Sequence, residues 1–457
     1  AGKTVIIDEC HAYDRYMYVY LENSLRWMAA YNVPVIILSA TLPPDKRAEL
    51  IKWYTGSKNS FDNSSMAYPV LTWSDGAEVK QKDIPVDIPD KPITVIRREE
   101  NDSNDIVNLL EDKLSDGGCA AVIVNSVAYS QELADTIAAN MPDYRVICFH
   151  SRLISTDRAV IERELTELVG KKSTCEKRDK LIVVGTQVLE QSLDIDFDYM
   201  ITELCPMDLL LQRSGRLHRH NRTRPDKLSE PELCVLIPED FSKSVYSGWI
   251  LKQTEKYLPD KLVIPGCIPE LVGAVYSEPD NDEQQTAEYR KYSDEQKEKK
   301  QRAKKYCIPS QKINRSDSTL SDMINRRELN NDSDGEAAVR DGQETIEALV
   351  LVKTSDTEYS LFSRDAVFDI TSVPDNAQAK LIAKQRLRLP AFFSKSYNFG
   401  KTIEILANSM PQAWRNAKWL KGEILLLLDG NNKISMLGRT YKYSTERGFE
   451  EIKEEES

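Results

Sequence analysis

No run of apolar residues in this sequence approaches the roughly 20 that a helix needs to cross a bilayer, and its first residues lack the basic-then-apolar layout of a secretory leader. Nothing in it is expected to enter a membrane. A C-x-x-C pair is also missing. The eight cysteines (Cys10, Cys119, Cys148, Cys175, Cys205, Cys234, Cys267 and Cys307) are scattered, several inside apolar runs where Cys packs as a small hydrophobe. They read as reduced thiols of a cytoplasmic protein. Positive charge is in deficit: 73 acidic against 61 basic side chains leave a net charge of −12. That excludes a generic polyanion binder, because affinity for a phosphate backbone comes from neutralising cations. A local basic groove remains compatible, since many of the acids fall between Ser277 and Thr345 and in the tail from Glu446 to Ser457. The chain opens on Ala1 and enters a strand almost at once, which reads as a fragment.

What is present is a chain of 457 residues, long enough for two or three globular domains. Short, nearly continuous apolar runs recur at Val5 to Ile7, Val33 to Leu38, Ile93 to Ile96, Ala120 to Val124, Val146 to Phe149, Leu181 to Val184 and Cys234 to Ile237. Such runs fit strands buried on both faces of a parallel sheet. Amphipathic stretches at helical spacing lie between them, as in Tyr16 to Tyr31, Asp45 to Tyr54, Tyr129 to Ala139 and Thr156 to Leu168. The alternation predicts an α/β doubly wound architecture. A loop carrying Pro85, Pro89 and Pro92 marks a boundary. The expected domains are 1–88, 89–262, a charged linker over 263–345 and a small α+β domain over 346–457, with Asp429 to Asn432 as a hairpin loop.

Three clusters carry chemistry. Asp8-Glu9-Cys10-His11 follows a buried strand, where one carboxylate can hold Mg²⁺ and its neighbour can polarise a water attacking a γ-phosphate. Ser39-Ala40-Thr41 also ends a strand, where hydroxyls can bond the acidic pair or simply cap a turn. In Gln212-Arg213-Ser214-Gly215-Arg216-Leu217-His218-Arg219-His220, helical spacing would set Gln212, Arg216 and Arg219 on one face, with two guanidiniums suited to a phosphoryl transition state. Taken singly, each cluster is equally compatible with a solvated strand end, a turn cap or a basic surface helix.

Their order and spacing resemble superfamily 2 helicases of the DExH type, over the chain as far as the strand near Ile237. The wording DECHAYD, SATLP, VGTQVLEQSLDIDFD and LLQRSGRLHRH is similar to the CRISPR-associated nuclease-helicases of type I systems, and the LRLPAFF and WLKGEILLLLD stretches to the family's C-terminal accessory domain. The resemblance implies two RecA-like parallel-sheet motor domains, the first truncated, plus that α+β domain. It implies an ATP-dependent DNA helicase or translocase that unwinds target DNA in antiviral interference, using ATP and Mg²⁺ and acting on single-stranded DNA with a Cascade-type effector complex. Carried over residue by residue, Asp8 would hold the metal. Asp8, Glu9, His11, Gln212, Arg216 and Arg219 would be catalytic. Ser39, Thr41, Asp194 and Arg213 would meet the nucleotide, and Asn125, Ser126, Ser151, Arg152, Thr186 and Gln187 the nucleic acid.

Parts of the family pattern are not found. Ala1-Gly2-Lys3-Thr4 imitates the end of a phosphate-binding loop without its G-x-x-x-x-G-K spacing and following helix. None of the four histidines is followed by Asp, so the metal nuclease's His-Asp pair is absent. A chain lacking both features is expected to be inactive by itself. Another DExH RNA or DNA helicase, or a non-catalytic nucleic-acid-binding fragment, are the other readings. In the last domain, Lys384, Arg386 and Arg388 alternate with Leu387 and Leu389 beside Phe392, Phe393 and Trp414, which predicts either a single-strand contact or a small core with solvated cations.

Overall fold

The computed structural model describes residues 2–56, 65, 67–74, 78–85, 90–99, 102–190, 193–307 and 345–452. They fall into two compact units. One comprises Ala1–Ile93, Cys205–Leu211 and Asp240–Asp341, the other Thr94–Leu204, Gln212–Glu239 and Gly342–Ser457.

In the first unit, strands Val5–Ile7 and Val35–Ile37 pair in parallel, Val5 opposite Val35. Helix Arg15–Ala30 begins where the Asp14 carboxylate accepts the Met17 N–H at 2.9 Å, and with helix Pro44–Thr55 it buries Cys10, Tyr18, Leu21, Leu25 and Leu50 in one cluster. Cys10 therefore packs as the small hydrophobe its position suggested, and burial pushes its thiol pKa up. The expectation of burial on both faces fails here. Ile6 is 63% exposed and Ile36 48%, because the helices of the cluster line only one side of this pair. A continuous apolar run does not reveal how many faces are covered. The expected linker also contains packed structure: helix Ile268–Tyr276 buries Leu271 and Val272, and helix Ala287–Tyr306 sets Ala303 against Tyr16 and Val19. The charged run hid this because one small residue per few turns suffices for close helix contact. Residues 308–344 of the expected linker, including Asn330 to Gly335, lie outside the described residues.

The second unit holds six parallel strands in the order Lys91–Glu99, Glu232–Ile237, Tyr199–Glu203, Cys119–Ile123, Leu181–Gly185 and Arg145–Phe149. Cys119–Ile123 and Leu181–Gly185 are buried at every residue, as predicted for a sheet covered on both faces. The ends of these strands carry the motif residues.

In the C-terminal α+β part, Leu425–Leu428 runs parallel to Glu347–Lys353, while Arg386–Arg388 and Glu358–Ser360 pair antiparallel with it. Asp429 to Asn432 does turn the chain, but it does not make the expected hairpin. The strand that follows, Lys433–Met436, joins Arg439–Ser444 and Gly448–Ile452 in a separate sheet. The all-leucine strand is buried and takes an interior place, so its neighbour in sequence is not its neighbour in the sheet.

This part shares its core with the parallel sheet's loops: Ile154 belongs to the cluster of Val350, Leu387, Phe393, Tyr441, Tyr443 and Phe449. The Ile154 N–H donates to the Tyr443 hydroxyl at 3.0 Å, and that hydroxyl donates to Asp157 Oδ2 at 2.6 Å. Phe449 N–H donates to the Arg152 carbonyl at 2.9 Å. Gly448 makes that approach possible. It sits at φ +67, and a Cβ there would lie 2.3 Å from the Arg152 oxygen and 2.7 Å from His150 Cε1. Gly448→Val is accordingly expected to lose about 2–3 kcal/mol in urea unfolding, whereas a change within 0.5 kcal/mol or so would mean that the approach is soft.

Candidate active site

The acidic box stands at the end of strand Val5–Ile7. Glu9 takes a left-handed backbone, φ 53, which few side chains other than Asn and Asp adopt. Asp8 is exposed, and its Oδ1 accepts the Glu9 N–H at 2.9 Å. His11 is the link to the second cluster. Ala40 N–H donates to its Nδ1 at 3.3 Å and the Ser39 hydroxyl lies at the same distance. With Nδ1 accepting, the ring proton resides on Nε2 and is donated to Glu9 Oε2 at 3.0 Å. A neutral imidazole thus joins the carboxylate to the Ser39-Ala40 turn. The Thr41 hydroxyl is enclosed and has no hydrogen-bond partner among the described residues.

The third cluster is not arranged as predicted. Helix Met207–Ser214 stops before Arg216, and a turn with His218 at φ 48 carries the chain on. Helical spacing therefore does not align Arg216 and Arg219; Gly215 and the turn intervene. Both nonetheless converge on the segment that resembles motif V. Arg216 donates to the Glu190 carbonyl at 2.9 Å, and Arg219 Nε donates to Asp194 Oδ1 at 2.7 Å. Burial alone would raise the Asp194 carboxyl, but the Arg219 hydrogen bond and the nearby charges of His220, Arg219 and Arg216 hold it below the usual range. Gln212 Nε2 is enclosed without a partner among the described residues.

Arg213 is fully enclosed, which the expectation of a nucleotide contact did not foresee. It pairs with Glu190 Oε1 at 2.6 Å and donates to the Thr202 hydroxyl at 2.7 Å, the Glu203 carbonyl at 3.1 Å and Asn125 Oδ1 at 3.1 Å. Its donors are engaged inside the fold, so it ties the expected motifs together and has no face to offer a nucleotide. The same network engages two residues expected at nucleic acid: Asn125 Nδ2 donates to the Leu204 carbonyl at 2.9 Å, and Gln187 Nε2 donates to the Asn125 carbonyl at 3.3 Å. Thr186 is buried, Ser126 precedes helix Val127–Asn140 without capping it through its side chain, and Gln191 and Ser192 lie outside the described residues.

Ser151 and Arg152 lie on the loop gripped by the C-terminal sheet. His150 is wholly buried there. Its Nδ1 accepts the Arg152 N–H at 3.1 Å and its Nε2 donates to the Arg447 carbonyl at 3.0 Å, with burial lowering its pKa to about 4. Gln131 Nε2 donates to the same Arg447 carbonyl at 2.6 Å.

The sequence reading passed over Asp196 and Asp198. Both are buried. Asp196 meets Arg222 at 2.7 Å and Arg224 at 3.0 Å, and its Oδ1 accepts the Arg219 N–H at 2.8 Å. Asp198 pairs with Arg178 at 2.6 Å and with Arg224. The available signal was D-x-D-x-D from Asp194 to Asp198 followed by Arg219, Arg222 and Arg224.

Neither ATP nor Mg²⁺ is part of this structure, but the donors fit them. Adjacent exposed carboxylates suit an ion that keeps waters and phosphates as its other ligands. Within the first unit, the enclosed Thr41 hydroxyl, without a partner among the described residues, suits a phosphate acceptor.

Two family descriptions match the chain: "CRISPR-associated nuclease/helicase Cas3, C-terminal" over residues 116–222, and "Cas3 C-terminal domain" over residues 340–449. The chain is 38% identical to the CRISPR-associated nuclease/helicase Cas3 of Streptococcus thermophilus, a match covering 98% of this chain and 50% of the relative. Among solved structures it resembles T. fusca Cas3-ATP, with a TM-score of 0.81 and 26% identity over 98% of this chain and 54% of the other. It also resembles a chain of a CRISPR RNA-guided surveillance complex, pre-nicking, with a TM-score of 0.78 and 25% identity over 98% and 57%. The chain thus spans about half the length of the relatives it matches.

Proposed function

The chain belongs to the Cas3 family of CRISPR-associated nuclease/helicases, and on that premise we propose that it forms part of an ATP-driven motor translocating on single-stranded DNA and docking on a CRISPR surveillance complex. The observation that carries the reading is the Glu9, His11, Ser39-Ala40 chain. It links an exposed carboxylate at a strand end to the Ser39-Ala40 turn, through which the state of the acidic pair can be passed on.

In this reading Asp8 holds Mg²⁺, which would supply charge neutralisation at the phosphates. Glu9 accepts a proton from the attacking water, and His11, already donating through Nε2, keeps that carboxylate oriented. Thr41 and Gln212 donate to nucleotide oxygens, and Arg216 and Arg219 stabilise charge developing on the transferred group. Arg213, Asn125 and Gln187 hold the motif segments together, and the partly exposed side chains of Ser151 and Arg152 meet the nucleic acid.

The test is Glu9→Gln in the full-length protein. Nucleotide binding, followed with a fluorescent ATP analogue, is expected to persist, while DNA-stimulated hydrolysis falls by about 10²-fold or more. Wild-type turnover in this variant would end the assignment of Glu9 as the base.

A further inference from the structure

Trp414 and Trp419 lie five positions apart in one basic stretch, and the fold treats them oppositely. Trp414 is fully enclosed, with its Nε1 donating to the Asp369 carbonyl at 3.3 Å. It belongs with Phe393, Leu387 and Leu389 to the interior, so the small core weighed for the LRLP stretch is present; Arg386 is paired with Glu423 at 2.6 Å, while Lys384 and Arg388 are exposed. Trp419 instead stands 41% exposed.

Its ring is held in a fixed orientation. Nε1 donates to Asn376 Oδ1 at 2.8 Å, and Asn376 opens helix Asn376–Ala383, whose first turn is locked by a reciprocal cap between Asp375 and Gln378. One helical turn on, Lys380 places its Nζ over the indole ring, 5.8 Å from the centroid, and Lys418 places its own over the ring at 5.7 Å. Leu381 is exposed beside them. The two segments that build this surface contain no acid: Asn376 to Ile403 and Gln412 to Gly422 carry Lys380, Lys384, Arg415, Lys418 and Lys421 without one Asp or Glu. Of the acids that flank these segments, Asp375 is engaged in the cap and Glu423 with Arg386, while Glu404 is exposed. In a chain of net charge −12 this is a local reversal of sign.

We propose that Trp419, flanked by Lys380 and Lys418, is a base-stacking platform for single-stranded nucleic acid on the C-terminal domain. A flat, immobilised indole offers every base the same π-face; stacking outweighs an exposed cation–π contact, so a base displaces the two ammonium groups from over the ring toward the phosphates on either side of it. The inference rests on the motor reading above and adds to it a strand-binding surface outside the parallel sheet. A protein partner would use the same cations but would not require a free ring face.

The test measures the affinity of the full-length protein for a fluorescein-labelled single-stranded oligonucleotide by anisotropy. Trp419→Ala is expected to weaken binding by about 5- to 150-fold, and Trp419→Phe to retain most of it. In the Lys380→Gln, Lys418→Gln double variant, the slope of log affinity against log salt should flatten by about 0.7 for each phosphate that is no longer neutralised. Unchanged affinity in Trp419→Ala, when the wild-type protein binds the same oligonucleotide, overturns the platform while leaving the motor reading in place. No binding by the wild-type protein would overturn the motor reading and this inference with it. Loss of surveillance-complex binding with oligonucleotide affinity intact would also overturn the platform, in favour of a protein partner. Equal losses in the Ala and Phe variants would argue against stacking.

Discussion

Replacing Arg216 by lysine in the full-length protein is expected to lower DNA-stimulated ATP hydrolysis by about 10³-fold or more, the contribution of an arginine finger to phosphoryl transfer. One arm of the guanidinium is committed to the Glu190 carbonyl at 2.9 Å, so the side chain is aimed by the same segment that holds Arg213. A lysine offers one compact charge and cannot keep that anchor while spanning two phosphate oxygens. Arg219→Lys should fail too, for a second reason: in the proposed role Arg219 would have to leave its Asp194 partner to reach a nucleotide, and a planar fork can exchange partners one hydrogen bond at a time. Nucleotide affinity should change far less than turnover. Near-normal hydrolysis in both lysine variants would reduce this segment to a basic surface turn.

The second large effect is on stability. Asp196→Ala is expected to cost about 3–5 kcal/mol, because it leaves buried guanidiniums uncompensated. That is a sizeable share of the about 5–15 kcal/mol that holds a domain together. Asp196 is wholly enclosed and faces Arg222 and Arg224 together with the Arg219 amide; Asp198 faces Arg178 and Arg224. The isosteric Asn would fare little better, since its amide would turn a donor toward donors. Chemical unfolding measures the loss, and a change below about 1 kcal/mol, the range of exposed ion pairs, would show that the cluster is solvated. Acid should reach the same interaction. Burial opposes ionisation of Asp198, yet Arg178 and Arg224 hold its carboxyl below the ordinary value. Its contribution is therefore complete above the unfolded value near about pH 4 and disappears as pH falls through the depressed one.

The parallel sheet was legible because strands covered on both faces leave uninterrupted apolar runs, and Cys119–Ile123 and Leu181–Gly185 are such strands. Coverage itself is not written in such a run, so Ile6 and Ile123 look alike in sequence and differ by 63% against 1% exposure. The motif residues were legible by identity but not by partner. Arg213 and Arg216 sit in the same short word, yet one is sealed among Glu190, Thr202 and Asn125 and the other, half-buried in a turn, donates to the Glu190 carbonyl. Asp196 and Asp198 were passed over because alternating acids look like the wet side of a strand, and only the fold brings three distant arginines to them. Trp414 ends the short helix Gln412–Trp414 and packs inward, whereas Trp419 stands in the turns that follow it, a distinction that composition does not carry.

Ile154 comes from a loop of the parallel sheet and is packed among residues from the C-terminal sheets. A shorter version of the protein ending before residue 345 would not be a trimmed motor. It would leave Ile154 and the buried backbone amides around it facing water, while the detached piece would present Tyr443 and Phe449, apolar surface of the kind that drives aggregation. Expression boundaries drawn at the change in composition would therefore cut through a shared core, and lowered solubility is the expected outcome. The two stretches, far apart in sequence, have to be made, purified and inherited together.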